Sequence, residues 1–198
     1  TEEIDICANT NTRIAHNPSA FAAIYGYCPV IELIEAGVTV AIGSDATAPD
    51  RASDMFRHMQ QLMHYHRTHH RDASVMPAGK TLEMATIDAA TALGMVDEIG
   101  SIEIGKKADI VLVDMDAPHM HPINMEAFRL VSFANGNDVD TVIIDGEVVL
   151  EQKKPTRVKT SEILEAAQIE TEKMLKRTDG AKYLELPDGF WSQTRYSK

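Results

Sequence analysis

The chain has little positive charge. Its 198 residues include 19 Lys and Arg against 30 Asp and Glu, which gives a formal net charge of −11 at pH 7. Proteins that bind nucleic acids or anionic membrane surfaces draw much of their affinity from clustered basic side chains. The charge balance therefore argues against a nucleic-acid partner and against a membrane partner.

Cysteines and long apolar runs are also scarce. Cys7 and Cys28 are the two cysteines, and neither belongs to a CxxC pair, so the sequence is unlike the disulfide-rich domains of secreted proteins. No apolar run approaches the ~20 residues of a membrane span, and the opening TEEIDICANT lacks the basic and apolar parts of a signal peptide. Because 44% of the residues are hydrophobic, we expect a globular, cytoplasmic protein.

The first part of the chain has an α/β pattern. The segment TRIAH is predicted to form a short strand that closes at His16, because Pro18 lacks the N–H that a central strand needs. A second strand is predicted from Val38 to Ile42, after a helix that begins near Pro29 and ends at Gly37. A strand, a helix and a second strand in this order form a parallel α/β unit.

The segments after the second strand have helical periodicity. SDMFRHMQQLMHYHRTHH is predicted to begin at an N-cap Ser53, and GKTLEMATIDAATALG is predicted as a single helix that ends at Gly94. The apolar faces of these helices are assigned to Met55, Met59, Leu62 and Met63 in the first and to Leu82, Ala85, Ala89 and Leu93 in the second.

From residue 99 the sequence is rich in β-branched residues. The pair Asp145-Gly146 separates TVII from EVVL, which is a strong signal for a β-hairpin. The segment KTSEILEAAQIETEKMLKR then predicts an amphipathic helix, followed by an extended tail. We therefore expect an α/β part in residues 1–98, a β-rich part in residues 99–152, and a helix with a tail in residues 153–198.

His16 and Asp45 each follow a predicted parallel strand. The carboxyl ends of parallel strands are where the binding and catalytic sites of α/β proteins are built. The alternative for Asp45 is a turn or N-cap role, and the alternative for His16 is a histidine that bonds only to backbone. The pattern alone leaves both interpretations open.

Five segments carry a family resemblance. In chain order they are IAHNPSA, PVIELIEAGVTVAIGSDATAPDRASDMF, LEMATIDAATALGM, GSIEIGKKADIVLVDMD and VDTVIIDGEVV. Together they resemble the C-terminal half of a metal-dependent amidohydrolase, in the branch of that superfamily that contains cytosine deaminases, adenosine-type deaminases and triazine chlorohydrolases. The resemblance covers residues 13 to 149, and residues 150–198 lie outside it.

The resemblance implies an α/β fold. Residues 1–98 would form the C-terminal part of a (β/α)8 TIM barrel, with TRIAH as strand seven and VTVAIGSD as strand eight, and residues 99–152 would form the C-terminal segment of a small composite β-sandwich. Because a (β/α)8 barrel alone needs ~250 residues, the chain is expected to be a C-terminal portion. An N-terminal complementary polypeptide or a homo-oligomer would then complete it.

The resemblance also implies roles for three residues. Asp45 matches the strand-eight aspartate that binds the catalytic metal and takes a proton from its water, and His16 and Asn17 match residues that line the substrate pocket. The metal is expected to be zinc, with iron or manganese as alternatives, and its other ligands are histidines on strands that this chain lacks. Ala20 and the segment SDATAPD depart from the family pattern and bear on the choice of substrate.

The implied reaction is hydrolysis of a C–N or C–Cl bond in a small heterocyclic or amidine substrate. Its typical form is hydrolytic deamination by a metal-bound hydroxide. The alternative is a non-catalytic subunit or interaction module that keeps the amidohydrolase fold. The two hypotheses differ in whether Asp45 binds a metal.

Several histidines have a sequence spacing that resembles that of metal ligands. On a helix, His64 and His66 are about 200° apart and cannot hold one ion, so His66 is interpreted as a core or interface residue and His64 as a solvated one. His66 and His70 have the i, i+4 spacing of an adventitious metal site. His119 and His121, in the loop DAPHMHPIN, are interpreted as interface or solvated residues.

Overall fold

The computed structural model describes residues 1–19, 25–46, 52–187 and 189–191. The chain divides into two compact units, Thr1–Lys154 and Pro155–Lys198. Ala20 and residues 47–50 of the SDATAPD segment lie outside the described residues. None of the helices in the described ranges is both long and apolar enough to cross a membrane.

The first unit combines a parallel strand pair, an antiparallel sheet and several helices. In chain order, the α-helices and strands of its described residues are α1 (Glu2–Asn9), β1 (Ile14–His16), α2 (Val30–Glu35), β2 (Val40–Ile42), α3 (Met55–His70), α4 (Ala78–Ala85), α5 (Ile87–Leu93), β3 (Ile110–Val113), α6 (Glu126–Phe133), β4 (Val139–Ile144) and β5 (Glu147–Glu151). Strand β6 (Lys154–Pro155) lies at the boundary of the unit. The second unit contains α7 (Thr160–Arg177) and a 3-10 turn at Gly180–Leu184.

The predicted strand, helix and strand at the start of the chain are confirmed. Strands β1 and β2 are parallel, with Ile14 opposite Val40 and His16 opposite Ile42. The second strand begins at Val40 rather than at the predicted Val38. The N–H of Val38 donates to the carbonyl of Leu33 at 2.9 Å, which closes the end of α2 and takes Val38 out of the strand.

Helix α3 begins one residue later than predicted. The side chain of Asp54, not that of Ser53, caps the helix, because Asp54 Oδ1 accepts hydrogen bonds from the N–H groups of Phe56 and Arg57 at 3.0 and 3.4 Å. Three of the four residues assigned to its apolar face are buried, namely Met59, Leu62 and Met63, whereas Met55 is 37% exposed.

The predicted single helix after α3 is divided into α4 and α5. Thr86 leaves the helical region, with φ −125° and ψ −92°. Gly100 packs closely at this break, since a Cβ on Gly100 would lie 2.6 Å from the Cβ of Ala90 and 3.2 Å from the carbonyl oxygen of Thr86. Of the predicted apolar face, Leu82 and Ala85 pack against the core, whereas Leu93 is exposed. The fully buried residues of α4 and α5 are Thr81, Met84 and Ala90.

The β-rich part forms a four-stranded sheet in the order β3-β4-β5-β6. The hairpin at Asp145-Gly146 is confirmed, and both residues have positive φ, 50° and 82°, as a two-residue type I′ turn requires. Helix α6, which lies between β3 and β4, was not predicted. It buries Val131, which joins the core of the first unit.

The core of the first unit collects apolar side chains from the parallel strands and the helices around them. Its members include Val40 and Ile42 of β2 together with Leu62 and Met63 of α3 and Met84 of α4. In the second unit, the predicted amphipathic helix is present as α7, and none of its residues is buried.

Candidate functional site

The two parallel strands end side by side. The N–H of Gly43, which directly follows β2, donates a hydrogen bond of 2.9 Å to the carbonyl of His16, the last residue of β1. Asn17 and the segment Gly43–Ser44–Asp45 therefore leave the sheet at the same edge. This is the edge at which sites of parallel α/β proteins are built.

Asn17 lies directly against Gly43. A Cβ on Gly43 would overlap Asn17 Oδ1, so only glycine leaves room for the amide in this position. Gly43 has an ordinary backbone conformation without a positive φ. Glycine is needed here because the side chain of Asn17 approaches the backbone closely. This contact joins the ends of two strands that are distant in sequence, and the sequence pattern did not predict it.

Asp45 is exposed at the same edge. Its φ is 60°, in the left-handed region that aspartate tolerates better than most residues. Its Oδ1 accepts a hydrogen bond of 2.6 Å from the N–H of Ala46. Within the described ranges, no three His, Cys, Asp or Glu side chains are grouped as a metal site, so Asp45 provides one carboxylate and not a complete set of ligands.

His16 is buried, and its ring faces helix α3. Its ring centroid lies 5.6 Å from that of His66 in an edge-to-face arrangement, and 5% of the residue is exposed. Burial lowers the pKa of His16 from 6.5 to about 4, so the imidazole is neutral at pH 7. Its Nε2 is buried without a hydrogen-bond partner among the described residues.

A cavity of about 370 Å³ lies at the strand edge. Its walls are residues 15–17, at the end of β1, and residues 25–29, which lead into α2. Both residues predicted to line a substrate pocket, His16 and Asn17, belong to these walls. Asn17 and Asp45 thus both follow the carboxyl ends of the paired strands, and the described cavity walls include His16 and Asn17 but not Asp45.

An aromatic cluster, missed in the sequence, connects the cavity wall to α3. The ring of Tyr27 stacks on His69 at 3.7 Å, with an interplanar angle of 9°, and meets His66 edge to face at 5.5 Å. The hydroxyl of Tyr27 donates to Glu32 Oε2 at 3.1 Å and lies 2.8 Å from His70 Nε2. The repeated histidines of HYHRTHH are its only sequence signal.

His66 is at the centre of this cluster and is completely buried. Burial is the largest cause of a pKa lowered from 6.5 to about 4, and neighbouring histidines lower it further. Neither ring nitrogen has a hydrogen-bond partner among the described residues. The prediction that His66 is a core residue is confirmed, and so is the exposure of His64.

Two further histidines contact polar side chains away from the cluster. His58 Nδ1 lies 3.0 Å from the hydroxyl of Ser19, which follows the strand end by three residues. His119 Nε2 lies 2.9 Å from Oδ2 of Asp138, a buried carboxylate. His119 and His121 are both exposed, which agrees with the solvated alternative, and the contact of His119 with Asp138 lies within the first unit.

Residues 2–149 match the family model described as Amidohydrolase family. A 5-methylthioadenosine/S-adenosylhomocysteine deaminase of Moorella thermoacetica is 40% identical over 164 residues, which cover 82% of this chain and 38% of that protein. A 5'-deoxyadenosine deaminase of Methanosarcina acetivorans is 33% identical and covers 89% of this chain and 41% of that protein. The chain thus spans about two fifths of the length of these relatives.

Two solved structures extend the comparison. The crystal structure of an adenosine deaminase from Xanthomonas campestris with bound zinc superposes with a TM-score of 0.86 at 32% identity, covering 89% of this chain and 40% of that one. Atrazine chlorohydrolase from Arthrobacter aurescens, complexed with zinc, gives a TM-score of 0.79 at 24% identity, covering 85% and 38%. The second likeness concerns the fold alone.

Proposed function

This chain belongs to the amidohydrolase family, and on that premise we propose that it supplies the C-terminal part of the catalytic site of a metal-dependent deaminase. The predicted family resemblance is confirmed, and the mixed α/β fold is the one shared with solved amidohydrolases. We assign β1 and β2 to the seventh and eighth strands of a TIM barrel. The observation that carries the proposal is the common edge occupied by Asn17 and Asp45.

The proposed substrate is a small heterocycle with an exocyclic amino group, in the class of adenosine derivatives. Three of the relatives and neighbours named above are deaminases of adenosine or its derivatives. The described part of the cavity lining supports an uncharged ligand, since it contains no lysine, arginine, aspartate or glutamate and its His16 is neutral at pH 7. Asn17 supplies an amide that can both donate and accept hydrogen bonds.

Asp45 is the proposed metal ligand of this chain. Its carboxylate is exposed at the strand edge and is a donor suited to zinc, and the zinc bound in the adenosine deaminase neighbour supports this choice. When bound, the metal supplies Lewis acidity that makes water a stronger acid near neutral pH. Asp45 then accepts the proton of the attacking water and returns it to the leaving amino group.

We propose that the missing ligands come from further strands outside residues 1–198. Within the described residues, β1 and β2 pair only with each other, whereas parallel sheets are normally larger and covered on both faces. A complementary N-terminal segment or polypeptide would extend the sheet and bring the remaining ligands to Asp45. A homo-oligomer is the alternative arrangement.

Native mass spectrometry, combined with an assay of ammonia release from adenosine derivatives, tests the proposal. We expect a complex that contains additional polypeptide and about one zinc ion per site, with ammonia released on addition of substrate. Asp45→Ala should lose both the zinc and the activity. Glu35→Ala, at an exposed carboxylate of α2, is the matched control and should keep both. A folded, metal-free and inactive wild-type protein would instead favour the non-catalytic module.

A further inference from the structure

We propose that Tyr27 is a positioning residue for the strand-edge cavity, fixing residues 25–29 against helix α3. This inference rests on the proposed function for its kinetic consequence, although the contacts of Tyr27 stand without it. Tyr27 is distant in sequence from α3, and its bond partner His70 lies 43 positions away. It therefore joins two elements that the sequence does not place together.

The hydroxyl of Tyr27 is engaged on both sides. Its proton is donated to Glu32 Oε2 on α2 at 3.1 Å, and the same oxygen lies within hydrogen-bond distance, 2.8 Å, of His70 Nε2 at the end of α3. Burial, and next the hydrogen bond to Glu32, raise the pKa of Tyr27 above its usual range, so the phenol stays neutral. One hydroxyl thereby connects the start of α2 to the last turn of α3.

The ring of Tyr27 adds a second anchor. It lies between α3 side chains, stacked on His69 at 3.7 Å and edge to face with His66 at 5.5 Å. His66 in turn contacts the ring of His16 at 5.6 Å. Tyr27 is therefore part of one wall of the cavity, residues 25–29, and is connected to the other wall, the end of β1, through His66.

This arrangement predicts how the hydroxyl affects catalysis. Tyr27 does not contact Asp45 in the structure's hydrogen-bond and ring-contact network, so it should influence the fit of the substrate rather than proton transfer. Without the hydroxyl, the ring at position 27 should stay stacked on His69. Residues 25–29 of the cavity wall should become more mobile. The expected result is a higher KM with little change in kcat.

The test compares Tyr27→Phe with Tyr65→Phe in the purified protein. Tyr65 is the matched control, because its ring is 6.1 Å from that of Tyr27 while its hydroxyl has no hydrogen-bond partner among the described residues. Hydrogen–deuterium exchange of peptides covering residues 25–29 is the first readout and needs no activity. We expect exchange to be roughly three- to tenfold faster in Tyr27→Phe only, the range that one lost hydrogen bond produces.

The second readout is the kinetics of deamination. KM should rise by roughly the same three- to tenfold factor in Tyr27→Phe, with kcat within about twofold of wild type. Unchanged exchange at residues 25–29 would overturn the inference, as would a fall in kcat at constant KM. An inactive wild-type protein would overturn the proposed function, and the exchange measurement would still decide the role of Tyr27.

Discussion

The carbonyl of His16 accepts a hydrogen bond of 2.9 Å from the N–H of Gly43. This bond is the last backbone hydrogen bond between β1 and β2, and it determines where the backbone leaves each strand. Asn17 follows on one side and Asp45 on the other, two residues beyond the glycine. The relative position of these two side chains therefore depends on the backbone at His16 and Gly43.

Gly43→Ala should damage the site more than the fold. The added Cβ would overlap Oδ1 of Asn17, which is the end of a side chain and can move aside. We expect a melting temperature close to that of wild type and, for the proposed deamination, a raised KM. Gly79→Ala is the control, because a Cβ there meets nothing within 4 Å; it should be neutral or stabilising by up to about 1 kcal/mol. A normal KM in Gly43→Ala would show that Asn17 does not contact the substrate.

His66→Leu should stabilise the protein. Both ring nitrogens of His66 are buried without partners among the described residues, and a buried polar atom without a partner costs about 1–3 kcal/mol. Leucine has a similar size and no polar atom, so the free energy of unfolding should rise by about 1 kcal/mol, measured by chemical denaturation. His64→Leu, at an exposed position of the same helix, should not stabilise. A destabilised His66→Leu would indicate that the imidazole has a bonded partner.

The sequence predicted those features whose causes are local. The end of α2 at Gly37, the Asp145-Gly146 hairpin and the strand that closes at His16 each depend on a few neighbouring residues, and all three are present. The break at Thr86 lies against Gly100, 14 positions away, and this contact could not be seen in the helical pattern.

The candidate site divides in the same way. Asp45 and Asn17 follow predicted strands, so their common edge could be inferred from strand order. The cluster around Tyr27 depends on contacts across 43 positions, which the sequence pattern does not encode. The roles of His16, Asn17 and Asp45 came from family resemblance and remain proposals.

The buried pair His16 and His66 should make stability depend on pH. Burial lowers the pKa of each from 6.5 to about 4. Between these values the unfolded chain binds a proton that the folded protein does not, so the free energy of unfolding falls as the pH drops from 6.5 towards 4 and is fully recovered above 6.5. The slope should reach about 1.4 kcal/mol per pH unit for each histidine. Denaturation from pH 7 to 5 measures it, and His66→Leu should reduce the slope by about half. Equal slopes in wild type and His66→Leu would contradict the lowered pKa of His66.

Asp54 should be far more important for stability than Ser53, which the sequence pattern favoured as the cap of α3. Asp54 Oδ1 accepts the N–H groups of Phe56 and Arg57, and its Oδ2 accepts the N–H of Gly136 at 3.0 Å, 82 positions along the chain. Asp54→Ala removes the cap and this long-range bond together, so the free energy of unfolding should fall by about 1–3 kcal/mol.

Two comparisons separate the contributions of Asp54. Ser53→Ala should leave the free energy of unfolding within about 0.5 kcal/mol of wild type, since Ser53 is exposed. Asp54→Asn keeps an oxygen for the helix cap but replaces the second oxygen with an amide that cannot accept the N–H of Gly136. It should therefore lose less stability than Asp54→Ala. An equal loss of stability in Ser53→Ala and Asp54→Ala would contradict this prediction. It would indicate that Ser53 caps the helix and that the hydrogen bond from Gly136 to Asp54 contributes little to the free energy of unfolding.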